Sequence, residues 1–155
     1  MARQPETVRS IAQNRKARHE YEIIEEIECG IVLVGSEVKS LRGGRASLQE
    51  AYGMFRRNEL FLVGMHCPEY PQAGPMNHAP LRERKLLAAG KDLLRWSKAV
   101  REKGVTIVPL EMAFRGHLVK VLMALVRGKK VHDKRETQKR RDAERDMRQA
   151  ITRRR

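Results

Sequence analysis

The chain has 155 residues with 33 Lys and Arg against 19 Asp and Glu, a formal charge of +14, and aromatic residues make up only 5%. That length suits one ordinary domain with a tail, and that charge attracts polyanions through counterion release, so nucleic acid leads the candidate partners. An anionic membrane is the competing polyanion, but there is neither a run of about 18 apolar residues nor an apolar leader, so a cytoplasmic protein without a membrane partner is expected.

In chain order, residues 1–13 contain Pro5 and no sustained period, which predicts a flexible arm. From Glu20 to Val34 the run alternates at Ile24, Ile27 and Cys29 and then becomes continuously apolar; it predicts a long strand with a bend or bulge at Gly30. Gly35-Ser36 opens a short helix carrying Val38 and Leu41, stopped by Gly43-Gly44. Ala51–Phe55 and Leu60–Val63 form a hairpin across Arg57-Asn58-Glu59. Residues 68–80 hold four of the six prolines and read as an irregular surface loop. Lys91–Lys103 places Leu93, Leu94, Trp96, Ala99 and Val100 on one helical face that ends at Gly104, with Trp96 a core residue before it is a base platform. A second hairpin joins 106–114 to 118–126 around Arg115-Gly116-His117, and Pro109 requires an edge or a bulge there.

Five strands and two helices, connected as hairpins, predict a mainly β (α+β) fold: a small antiparallel barrel with packed helices, for which an OB-like barrel is one compatible choice. The tail differs in kind. Residues 128–155 hold 12 basic and five acidic residues, half of the net excess, and no aromatic. Such a segment is disordered when free. Its Glu136–Arg140 and Glu144–Arg148 spacings and the stripe of Ala143, Met147, Ala150 and Ile151 suit a helix formed on an anionic surface. The expected organisation is an arm over 1–13, a folded body over 14–127 and a basic tail over 128–155.

Catalysis finds no footing. His19-Glu20 is the best acid-base pair on paper, but on a strand adjacent side chains point to opposite faces, and no nucleophile elbow, P-loop or HExxH accompanies them. His66, Cys67 and His78 have poor metal-ligand spacing, and Cys29 and Cys67 stand outside any CxxC, so packed, reduced thiols are expected. Neither an enzyme nor a metal or other cofactor is expected.

Four blocks in order, NRKARHEY at 14–21, GIVLVGSEVKSLRGGRASL at 30–48, RERKLL at 82–87 and GKKVHDKRETQKRRD at 128–142, resemble the SsrA-binding protein (small protein B) family. The resemblance spans nearly the whole chain. It implies an OB-like barrel with a basic tail unstructured in the free protein. It further implies binding to the tRNA-like domain of transfer-messenger RNA and delivery, with elongation factor Tu, to a stalled ribosome for trans-translation. By motif position, the resemblance assigns RNA contacts to Asn14, Arg15, Lys16, Arg18, Glu28, Lys39, Arg42, Lys85 and Leu87, with some of these expected to be packing residues. His19 and Tyr21 are candidates to stack on unpaired bases. Glu28 is open between accepting from a base edge and pairing with an internal cation, because a carboxylate repels phosphate.

In the tail the resemblance places Gly128 to Asp133 near the decoding centre and a helix in the empty mRNA channel. Lys129, Lys130, His132, Asp133, Lys134, Arg135, Lys139 and Arg140 are the contacts it implies, with His132 a candidate to stack on ribosomal RNA. Glu22 stands where the family often has an aromatic, and Ser36 where it often has Thr. A general structured or single-stranded RNA binder would share the charge but not a preference for the tRNA-like fold, and a nuclease would depend on one acidic or histidine side chain.

Overall fold

The computed structural model describes residues 7–129 and 140–149. In chain order the elements are β1 (Val8–Gln13), α1 (Arg15–Glu20), β2 (Tyr21–Ile31), α2 (Gly35–Arg42), β3 (Tyr52–Arg56), β4 (Glu59–Val63), a 3-10 segment (Pro71–Met76), β5 (Arg84–Leu87), α3 (Gly90–Ala99), β6 (Val105–Arg115) and β7 (Leu118–Gly128). The strands form one antiparallel sheet ordered β1-β6-β3-β4-β5-β2-β7, and β6 also pairs with β7. The fold is therefore mainly antiparallel β with helices packed on it.

The β6–β7 hairpin is the spine, continuous from Val105↔Arg127 to Arg115↔Leu118 with a register shift between Pro109 and Glu111. Proline has no N–H to give the ladder, so the bulge falls where the sequence demanded one. The other edge of β7 runs along β2 from Tyr21↔Gly128 to Gly30↔Lys120. The shift in β2 lies between Ile23 and Glu25 and not at Gly30, which pairs with both Lys120 and Leu87 where β2 passes from β7 to β5. The β3–β4 turn is tight as expected: Arg57 and Asn58 take φ of 49° and 67°, the left-handed pair that matches strand twist. Gly53 allows β3 to reach β6, since a Cβ there would lie 2.7 Å from Ile107 Cγ2.

The main core gathers Cys29, Leu41, Leu62, Met65, Trp96, Ile107 and Met123, all nearly or fully buried. Burial drives both thiols upward, Cys29 to about 11, so they are packed and unreactive. A second cluster, Val108, Leu110, Ala124 and Val126, sits under Ala17 of α1. The β6–β7 hairpin is thus covered on both faces over part of its length, which explains why its burial does not alternate cleanly.

Three elements depart from the sequence reading. Residues 8–13 are a strand on β6 and not part of a loose arm. A strand added by backbone hydrogen bonds needs little side-chain patterning, and only Ile11 is buried. Residues 15–20 are a helix, and Arg84–Leu87 is a strand between β4 and β2. In addition, α3 ends at Ala99, four residues before the expected stop.

Glu37 and Arg84 are completely buried and joined by an ion pair, and Arg82 binds the other carboxylate oxygen. Arg84 also donates to the Met65 carbonyl at 3.0 Å and the Pro80 carbonyl at 3.2 Å, while Glu37 accepts from the Val34 amide at 3.0 Å. This knot ties α2 to β5 and to the proline-rich loop. Burial pushes the Glu37 carboxyl up, but hydrogen bonds from Arg82, Val34 and Arg84 outweigh it and hold the group below its ordinary range.

Candidate nucleic-acid interface

α1 owes its start to Asn14, whose side chain accepts from the Ala17 amide at 3.3 Å. Its amide nitrogen donates to the carbonyls of Leu48 at 3.3 Å and Pro109 at 3.1 Å. Asn14 is only 5% exposed, so it positions α1 and does not present a side chain outward. The helix seats Ala17 inward and leaves Arg15, Lys16 and Arg18 exposed. Lys16 lies 3.7 Å from Glu20, and Arg18 lies 3.5 Å from Glu26. Among the described residues Arg15 forms no ion pair, and it lines a hollow with Arg18 beside Asn14.

His19 and Glu20 close α1, so the expected strand geometry at this pair is replaced by a helical one. Glu20 still does not serve His19, because its partner is Lys16. Arg141, in the helical segment 140–149, donates to His19 Nε2 at 3.3 Å. Tyr21 follows at the head of β2 and lines one hollow with Asn14 and Lys16.

A second group lies on β2 and β5. Leu87 is 50% exposed and pairs with Gly30, two residues beyond Glu28 on the same strand face. Glu28 lies 2.8 Å from Arg115. The internal-cation reading of Glu28 therefore has a partner, though both side chains remain partly exposed and within reach of another molecule. Lys85 is engaged with Glu59 at 3.1 Å.

A third group lies on α2. Lys39 sits 5.7 Å over the Tyr70 ring. Arg42 borders a cleft with Arg9, Phe114 and His117, where the Arg9 guanidinium stands 5.8 Å over Phe114. The sequence offered Arg115 and His117 only as turn residues and Arg9 not at all, because isolated strand and turn cations carry no motif. The candidates thus fall into three groups joined through the sheet, with Asn14 their internal brace.

In the tail, Lys129 and Arg140 are described: the Lys129 amide bonds the Glu20 carbonyl at 3.4 Å, and residues 140–149 are helical and exposed. Lys130, His132, Asp133, Lys134, Arg135 and Lys139 lie outside the described residues.

Glu37, Cys67 and His78 come together in the buried region, yet their polar atoms are committed. His78 Nε2 faces the Cys67 carbonyl at 2.9 Å and must carry the proton, so Nδ1 accepts from Ser36 at 2.8 Å. With Glu37 bound by two arginines, the cluster is packing chemistry. His66, grouped with these in the sequence, is exposed.

A family model described as SmpB protein matches residues 11–153. The SsrA-binding protein of Chloroflexus aggregans (strain MD-66 / DSM 9485) is 47% identical over 155 residues, covering 99% of this chain and 98% of that protein. The SsrA-binding protein of Microcystis aeruginosa (strain NIES-843 / IAM M-2473) is 46% identical over 154 residues, covering 99% of this chain and all of that protein. A chain of the solved structure described as "tmRNA-SmpB: a journey to the center of the bacterial ribosome" superposes with a TM-score of 0.65 at 40% identity, over 83% of this chain and 87% of that one.

Proposed function

The chain belongs to the SmpB protein family, and from that membership we propose that it is an RNA-binding adaptor for transfer-messenger RNA on the ribosome and not an enzyme. It binds the tRNA-like domain of that RNA and delivers it, with elongation factor Tu, to stalled ribosomes for trans-translation. Its place of action is the cytoplasm. The observation that carries the reading is the full-length match to SsrA-binding proteins, joined to exposed cations on one folded scaffold.

The body, which takes in β1 as well as the expected 14–127, is an OB-like barrel, a reading supported by the β6–β7 pairing that links distant members of the strand order. Arg15, Lys16 and Arg18 on α1, Lys39 and Arg42 on α2, and Lys85 grip phosphates. Leu87 offers an apolar contact, His19 and Tyr21 stack on bases, and Glu28 shares Arg115 with the RNA. Asn14 contributes by holding α1 in place. The basic tail over 128–155, disordered when free, enters the decoding centre and the empty mRNA channel as a helix. Its interface there runs through Lys129, Lys130, His132, Asp133, Lys134, Arg135, Lys139 and Arg140. Ordering such a tail costs conformational entropy, which phosphate contacts must offset.

Full-length protein is titrated against the tRNA-like domain and an unrelated hairpin of equal length at two salt concentrations. A preference that persists at the higher salt is the expected result, because shape-specific recognition outlasts counterion release. Equal affinities that fall together describe a general RNA binder instead. Truncation after Gly128 is expected to spare this binding and abolish ribosome rescue, and loss of both overturns the division into body and tail.

A further inference from the structure

A hollow of about 370 Å³ lies between α1 and the start of β3, bordered by Lys16, Glu20, Tyr21, Gln49, Glu50 and Tyr52. Its charge is unusual for a chain of +14, since two acidic residues border it with a single lysine. Lys16 lies 3.7 Å from Glu20, and among the described residues Glu50 has no ion-pair partner. A phosphate is repelled from such a place. The hollow also has two aromatic rings, with Tyr52 43% exposed and Tyr21 half-buried. In a protein with only three tyrosines, two meeting at one opening supply the flat apolar surface that an unstacked base seeks.

The polar chemistry selects among bases. An ionised carboxylate only accepts hydrogen bonds, so its partner must donate. Guanine alone has two adjacent donors, N1–H and N2–H2, on its Watson–Crick edge, spaced to meet both oxygens of one carboxylate. We infer that this hollow takes an unpaired guanine of the bound RNA, stacked on Tyr52 and read through its Watson–Crick edge by Glu50. The inference rests on the RNA-binding reading above and adds a base-specific pocket to it. The exposed cations of α1 lie beside the hollow, where the phosphates of the flanking nucleotides run.

The test uses the full chain and RNA hairpins with one guanosine in a uridine loop, or inosine, adenosine or uridine in its place. Inosine removes only the N2 amino group. The guanosine hairpin is expected to bind about tenfold more tightly than the others, the discrimination of one two-bond contact. Glu50→Gln reduces that ratio to under about threefold, and Tyr52→Leu weakens guanosine binding while a buried-tryptophan signal confirms the fold. Reading a ratio matters, because removing a negative charge strengthens binding to every RNA. Equal affinities for all four hairpins, or a guanosine preference that survives Glu50→Gln, overturns the inference. A tRNA-like domain preferred over unrelated RNA without any guanosine preference leaves the adaptor reading standing and this one refuted. Guanosine-to-inosine exchange at unpaired positions, made separately in the tRNA-like domain and in a small-subunit ribosomal RNA fragment, tells which RNA supplies the base.

Discussion

Replacing Arg84 by Met keeps an unbranched side chain of related length and removes one buried cation. The guanidinium contacts Glu37, the Met65 carbonyl and the Pro80 carbonyl, so three acceptors lose their donor at once. Arg82 and the Val34 amide still serve Glu37, which limits the penalty of leaving its charge buried. Roughly 1–1.5 kcal/mol for each lost bond gives about 3–5 kcal/mol, the usual cost of breaking a buried pair by removing one partner. For a chain of this size that lowers the melting temperature by about 10 °C. Urea unfolding followed through Trp96, the single tryptophan and 1% exposed, measures the change directly. Glu37→Gln in the same background supplies the cross-check: the double variant is expected to cost about 1–3 kcal/mol less than the two single changes added together. A loss below about 1 kcal/mol for Arg84→Met, or strict additivity, refutes the view that this ion pair fastens the proline-rich loop to α2.

Three other outcomes follow from the same geometry. Because the folded Glu37 carboxyl lies below its ordinary value of 4.5, its contribution is complete above that value and is lost as pH falls through the folded value. The stability gap between wild type and Glu37→Gln should therefore narrow in acid titrations, and a gap that widens contradicts the ion-pair account. Gly53→Val sets Cβ against Ile107 where β3 touches β6, and a loss of about 1–3 kcal/mol in thermal melts is expected; an unchanged melt shows that the approach is not tight. Asn14→Ala removes the cap of α1 and both carbonyl contacts, at about 2 kcal/mol. Asn14→Asp retains the cap acceptor but sets a carboxylate oxygen against the Leu48 and Pro109 carbonyls, so it should be no more stable than Asn14→Ala, and a melt equal to wild type shows that the donated bonds contribute nothing.

Hydrophobic patterning revealed the elements that bury a stripe and missed those held otherwise. Both hairpins, the helix at 35–42 and the bulge at Pro109 follow from period and turn chemistry. α1 has one inward residue, Ala17, in six, so periodicity is silent there, although Asn before a run of good helix formers is a legitimate capping signal. β5 escaped because its first residue is a buried arginine, which reads as surface until Glu37 is found beside it. In the interface, the basic blocks are visible as charge, but the partnership of Glu28 with Arg115 joins strands far apart in sequence. The hollow between Tyr21 and Tyr52 was hidden for the same reason, since 31 positions separate residues that share one opening.

The bond from the Lys129 amide to the Glu20 carbonyl gives the chain's last stretch a fixed root at the foot of α1. A polyanion held by α1 therefore meets the segment beyond residue 129 as a tethered neighbour and not as a diffusing reactant. Covalent attachment raises the effective concentration of the second contact far above that of a separate molecule. Contacts too weak to form between separate molecules become populated under that leash. Residues inserted just past this root should loosen the second engagement, while leaving the first grip on α1 unaltered.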